Sequence, residues 1–112
     1  MEHKEVLRSA AKILNERAQE YGGEEACFAR ISDIATIVLN KSISEYDVAM
    51  ILHCVKLGRL QEARGKDDNY IDGVNYLAFA SQFSKQFDSV ATAVEDDIAA
   101  MAAKLAPVKQ GE

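Results

Sequence analysis

The chain has no tryptophan, a single proline, two cysteines and no excess of positive charge, and each shortage removes a class of explanation. With one proline in 112 residues little interrupts a helix, and the frequent alanine, leucine and isoleucine favour helix over strand. Cys27 and Cys54 stand apart, with no C-x-x-C spacing and no nearby pair of histidines. They frame neither a zinc site nor a disulfide scaffold, and read as small buried residues in a reducing compartment. The net charge of −5 argues against a surface that grips nucleic-acid backbone by electrostatics alone. A small anionic ligand stays open, because it needs only a few local cations and usually a metal. No apolar run approaches the ~18–20 residues of a membrane span, and MEHKEVLRS lacks the apolar stretch of a signal peptide. The expectation is a cytoplasmic protein with no membrane partner.

What is present is a chain of 48% hydrophobic and 28% charged residues, long enough for one domain and one core. Hydrophobic periodicity predicts an all-α fold with five helical segments. Residues 3–20 place Val6, Ala10, Ile13, Leu14 and Arg17 along one side, and Gly22-Gly23 ends the run. Residues 24–40 gather Cys27, Phe28, Ile31, Ile34 and Val38, and Asn40-Lys41-Ser42 breaks the pattern. A third helix starts at the N-cap Ser44 and runs to Gly65; it is apolar around most of its circumference from Val48 to Leu57, which makes it the expected central helix. A fourth runs from the aspartates at 67–68 to about Phe83. A fifth spans roughly 87–105, with Phe87, Val90, Val94, Ile98, Met101 and Leu105 near heptad spacing. The expected organisation is a helical domain over 1–85, an amphipathic helix over 86–106 that packs on the domain or on a partner subunit, and a frayed tail over 107–112. So short a core leaves little to cover the last helix, which points to a homo-oligomer, dimer or tetramer.

Four places carry residues suited to chemistry. Arg17 and Tyr21 sit four apart at the end of the first helix, where they can hold a phosphate or stack on a base; alternatively Arg17 complements the helix C-terminus and Tyr21 edges the core. Asp47 occupies N3 behind Ser44, the position of a capping box, yet shares a face with Ile51, Cys54 and Gly58, where an acid on a buried seam needs a cation or a metal beside it. Lys56 and Arg59 emerge from an apolar run, either as dipole complements or as a clamp for phosphate oxygens; Gly58 between them costs about 1 kcal/mol relative to alanine and suggests the close approach of a backbone or ligand. In DDNYIDGVNYLA, Asp68, Asp72 and Asn75 line one helical face. Asp68 is explained as a helix-start acid, whereas Asp72 and Asn75 require partners: Lys56 and Arg59, or a divalent cation with oxygen ligands.

The order of ERAQEYG, YDVAMILHCVKLGRL and DDNYIDGVNYLA resembles a family of small phage and prophage proteins of unassigned function, which carries R-x-K-E-Y-G, a D-V-A segment leading to K-x-x-R, and D-[SN]-x-x-D-x-x-G-Y. That family is related to the MazG-like all-α nucleotide pyrophosphohydrolases, a superfamily that includes dimeric dUTPases. The resemblance covers about residues 10–82. It implies a helical bundle whose carboxylates hold Mg2+ and whose reaction takes a (d)NTP to a monophosphate and pyrophosphate. Asp47, Asp68 and Asp72 become metal ligands by this resemblance, with Asp47 and Asp72 catalytic. Lys56 and Arg59 become phosphate contacts, and Arg17, Tyr21 and Asn75 substrate contacts. Two departures stand out. No E-E-x-x-E is expected to face these acids, because Glu24-Glu25 is followed by Phe28, and Asn69 stands where the enzymes carry glutamate. A thinned acid set also suits a non-catalytic protein that sequesters a nucleotide or a nucleotide-derived defence signal. The third alternative is a helical interaction protein.

Overall fold

A computed structural model describes residues 1–18 and 23–105, with the side chains of 86–94 excepted. Among the described residues there are four α helices and no strand: α1 His3–Arg17, α2 Glu24–Leu39, α3 Glu45–Leu60 and α4 Asp67–Leu105. Local chemistry sets most of the boundaries. Gly23, at φ 91°, stands at the N-cap of α2 in a conformation that L side chains rarely adopt. Asn40 closes α2 in the left-handed region, a position that asparagine tolerates. Ser44 opens α3 with a capping box: its hydroxyl accepts from the Asp47 N–H at 3.1 Å, and its own N–H donates to Asp47 Oδ2 at 2.9 Å. The turn between α2 and α3 is held by α2 itself. The Ser32 hydroxyl donates to the Ile43 carbonyl at 2.6 Å, and the Ile43 N–H donates to Thr36 Oγ1 at 3.0 Å.

The core lies between α2, α3 and the first half of α4. Phe28, Val48, Ala49, Ala80 and Phe83 are buried together, with Met50, Leu52, Tyr76 and Phe79 packed against them. Phe28 is the hub: its ring meets Tyr76 edge-on at 6.3 Å, Phe79 at 5.0 Å and Phe83 at 5.3 Å. Such pairs add roughly 0.5–1.5 kcal/mol each beyond the area they bury. Helices α3 and α4 run antiparallel, since His53 meets Gly73 while Lys56, farther along α3, meets Asp72, earlier on α4. α1 packs on α4 through Ala10, which is buried, and through Asn75, whose amide donates to the Ala10 carbonyl at 3.1 Å.

Three sequence expectations shift. The stretches expected as fourth and fifth helices are both helical but form one continuous helix of 39 residues. Ser84-Lys85-Gln86, which separates them in the apolar pattern, contains no glycine or proline, so nothing stops the backbone. Residues 95–105 of α4 are exposed throughout. The third helix ends at Leu60 rather than at Gly65, and it is central but only half covered: Ile51, Val55 and Leu57 remain exposed, because α2 and α4 occupy only part of its circumference. Among the described residues no helix is long and apolar enough to cross a membrane.

Asn75→Ala removes the buried hydrogen bond that ties α4 to the Ala10 carbonyl, which then keeps only its partner within α1. The expected loss is about 1 kcal/mol, the net worth of one hydrogen bond, which for a domain of this size lowers Tm by roughly 4–8 °C. Thermal melting followed by circular dichroism measures it, and an unchanged Tm would show that α1 is not clamped through Asn75.

Candidate functional site

The polar centre of the molecule grows out of the α3–α4 seam. Gly73 is buried, and a Cβ built on it would stand 3.6 Å from Lys56 Cβ and 3.7 Å from His53 Nδ1, so the two helices approach closely here. His53 donates from Nδ1 to the Gly73 carbonyl at 2.7 Å, the only role open to a ring nitrogen facing a carbonyl. One turn along α3, Lys56 Nζ meets Asp72 Oδ2 at 2.9 Å, with side chains only 13% and 18% exposed. Asp72 therefore has the partner that its position inside the helix requires. Removing either member would strand a charge in a half-buried site.

Beside this seam, α1, α2, α3 and α4 enclose an open cleft of about 430 Å³. Arg17 and Gly23 line one end, Phe28 and Tyr76 supply aromatic wall, and Arg30 brings a second guanidinium. Glu24, at the first turn of α2, is the acid of the cleft. Its Oε1 lies 3.7 Å from Arg17 Nη1, too long for a hydrogen bond, and that oxygen is buried with no hydrogen-bond partner. Burial pushes the Glu24 carboxyl above its ordinary range; Arg17 opposes the shift, and the Asp72 carboxylate adds to it. Glu24 and Asp72, from helices distant in sequence, thus sense one another electrostatically.

The residues singled out in the sequence divide accordingly. Arg17 lines the cleft, and Lys56 and Asp72 pair at the seam. Asp68 is exposed one turn before Asp72, and Arg59 is exposed on α3. Asn75 is buried and committed to the Ala10 carbonyl, while Tyr21 lies outside the described residues. Asp47 closes the α3 capping box nine residues before Lys56, about 13 Å away along the helix axis at 1.5 Å per residue. Asp47 and Asp72 are not brought together, and no group of three His, Cys, Asp or Glu suited to a metal occurs among the described residues. The sequence has no E-E-x-x-E, since Phe28 takes the last position, yet Glu24 lies within electrostatic reach of Asp72. Its first-turn position has a sufficient local explanation in the helix dipole, which hides a tertiary role. Phe28, Arg30 and Tyr76 also went unmarked as site residues, since core spacing accounts for the aromatics.

A family model described as Domain of unknown function (DUF6378) matches residues 5–84. The chain belongs to that family. The DUF6378 match runs from α1 into the first half of α4, so it contains the seam, the cleft and every residue lining it, and ends before the projecting part of α4. No curated protein and no solved structure matches the chain.

The raised Glu24 carboxyl sets a pH dependence with a definite sign. A folded-state pKa above the unfolded one means that the folded protein holds its proton more tightly, so the acid weakens folding as pH rises through that range. Glu24→Gln should therefore raise Tm at pH 7–8, with the gain shrinking toward pH 4 as both states become protonated. Melting curves of the two proteins across pH 4–8 test this; a gain that grows on acidification would contradict the assigned cause.

Proposed function

We propose that this chain is a MazG-like, phage-type nucleotide-handling protein: a magnesium-dependent (d)NTP pyrophosphohydrolase yielding a monophosphate and pyrophosphate. The observation that carries the reading is the buried Oε1 of Glu24, without a hydrogen-bond partner and within electrostatic reach of Asp72, in a cleft that also presents Arg17 and Arg30. The cleft volume of about 430 Å³ falls within the range of roughly 300–1,000 Å³ typical of small-molecule sites.

Magnesium takes oxygen ligands, commonly one or two carboxylates together with waters and substrate phosphates. Glu24 and Asp72 fit that requirement as far as carboxylates go, and they are the residues that would hold it. When bound, the ion supplies Lewis acidity at the phosphoanhydride and lowers the pKa of a coordinated water. The chain's own groups do the rest. Arg17 and Arg30 bind phosphate oxygens and offset their charge, with bidentate geometry available to each guanidinium. Lys56 holds Asp72 in place and offers a cation at the seam. Tyr76, backed by the buried Phe28, presents ring surface to the base and excludes water from that side of the cleft.

A second reading, a protein that binds a nucleotide without cleaving it, is favoured by one specific observation. Asp72 is already matched by Lys56 at 2.9 Å, and a carboxylate so paired is a poorer metal ligand than a free one.

The two readings separate in one assay series. Incubating the protein with each (d)NTP and Mg2+ should release pyrophosphate in a metal-dependent way. Asp72→Asn should lower the rate at least ~100-fold, the scale of losing a group that supports charge development in the transition state, while leaving the helical circular dichroism intact. No turnover, with a nucleotide-dependent rise in Tm, would establish binding alone. An Asp72→Asn protein that unfolds would make Asp72 structural and remove the metal reading.

A further inference from the structure

The Lys56–Asp72 pair is a neighbour of the cleft. Leu52 and Tyr76 line the cleft from α3 and α4, and each has a charged residue one helical turn away on its own face. Lys56 follows Leu52 by four residues, and Asp72 precedes Tyr76 by four. Because the helices run antiparallel, 52–76 and 56–72 are successive rungs of one seam, about 6 Å apart at 1.5 Å per residue. The ion pair is therefore the rung next to the cleft wall. Glu24 lines the same cleft and senses the Asp72 carboxylate.

Charge in this corner is balanced acid by acid. Lys56 Nζ lies 2.9 Å from Asp72 Oδ2, and Arg17 Nη1 lies 3.7 Å from Glu24 Oε1. Each carboxylate that would hold a metal already has a resident cation. A divalent ion arriving alone must push an ammonium and a guanidinium aside and leave both unpaired beside its own charge. The Glu24 oxygen is buried, and the Lys56 and Asp72 side chains are only 13% and 18% exposed, so water compensates poorly there. An oligophosphate arriving alone meets two acids. The two ligands together remove both obstacles, since the metal takes the carboxylates and the released cations take phosphate oxygens.

We propose that Lys56 and Arg17 are exchangeable counter-ions, which keep Asp72 and Glu24 closed to a metal until an oligophosphate arrives to receive them. Metal and anion then enter the site together, and neither binds well alone. The inference rests on the cleft being the site of a metal–triphosphate ligand, and it adds the rule by which that ligand is admitted. A lysine suits the exchange, being a compact charge on a flexible four-carbon stem with three donors that rotate freely. The guanidinium of Arg17, too far from Glu24 Oε1 for a hydrogen bond, has little to give up on leaving. By linkage, the factor by which the anion strengthens metal binding equals the factor by which the metal strengthens anion binding.

Inorganic tripolyphosphate carries the charge of a nucleoside triphosphate without a base, and serves as the probe on the full chain. In calorimetry of the wild type, Mg2+ alone should show no binding. Tripolyphosphate should bind at least ~10-fold more tightly with Mg2+ than with a chelator, within the usual range for coupled ligands. Lys56→Met removes the counter-ion of Asp72 and should open the acids: Mg2+ alone then raises the Tm of the variant. That rise should be absent from the wild type and from the double variant Lys56→Met/Asp72→Asn. A purely structural ion pair would leave Lys56→Met less stable by the same amount with or without Mg2+. Mg2+ that binds the wild type equally well without the anion overturns the proposal, as does tripolyphosphate that binds regardless of Mg2+ or under neither condition. A folded Lys56→Met whose Tm ignores Mg2+ also overturns it; if that variant does not fold, the wild-type titrations decide. If the coupling holds and no (d)NTP binds or is cleaved, the nucleotide reading falls while the exchange stands. If (d)NTPs are cleaved but Mg2+ binds independently of the anion, the exchange falls while the nucleotide reading stands.

Discussion

Lys56 reaches Asp72 across the α3–α4 seam, and the placement of the other polar groups follows from that contact. Two helices that pack antiparallel can slide past one another by a turn at little cost in apolar burial. A half-buried ion pair and the neighbouring His53–Gly73 hydrogen bond cannot be remade one turn away. The seam tolerates them because Gly73 contributes no side chain; an alanine there would sit in ordinary contact with Lys56 and His53, and anything larger would force the helices apart. Register fixed at 53–73 and 56–72 puts Tyr76, Phe79 and Phe83 in line to receive Phe28 of α2. It also turns Asn75 toward α1.

With α2 seated by Phe28, Glu24 has no freedom to leave. It stands one turn before that anchoring ring, so burying the ring carries the carboxylate into a poorly solvated corner near Asp72. Taking an acid out of water without full hydrogen bonding disfavours its charged form, and Arg17 offsets only part of the penalty at 3.7 Å. Local instability of this kind, maintained by packing elsewhere, is common where a protein handles charge. Arg17 and Arg30, both exposed, line the same cleft as the acid, which gives it both signs of charge.

Much of this arrangement can be read from the chain. Ser44 and Asp47 announce the start of α3 by their three-residue spacing, and Asn40-Lys41-Ser42 marks the end of α2. Asp72 and Asn75 demand partners because they sit inside an apolar helix, and both find them, one in Lys56 and the other in the Ala10 carbonyl. Other features depend on tertiary packing that local pattern does not encode. Glu24 looks like an ordinary first-turn acid until Phe28 is seen to pull it inward. Asp47 satisfies a capping box and stays on its own helix, so sharing a face with Ile51 says nothing of distance to Asp72. A lapse in hydrophobic spacing after Phe83 resembles a helix end, but spacing reports what a helix faces; the backbone stops only where residues such as glycine or proline stop it. The apolar circumference of α3 likewise suggests full burial, whereas one chain supplies neighbours for only part of it.

The unbroken run of α4 from the domain into its exposed end has a mechanical consequence. From Phe83, the last core residue among those described, to Leu105 the helix extends by about 33 Å at 1.5 Å per residue. Helices bend gently and kink only at identifiable breaks, and Ser84-Lys85-Gln86 provides none. The projecting part is therefore a lever arm rather than a tethered arm. A tilt of about 10° where Ala80 and Phe83 meet the core would swing its tip by roughly 6 Å, so small adjustments in the packing around Phe28 are magnified at the far end of the molecule.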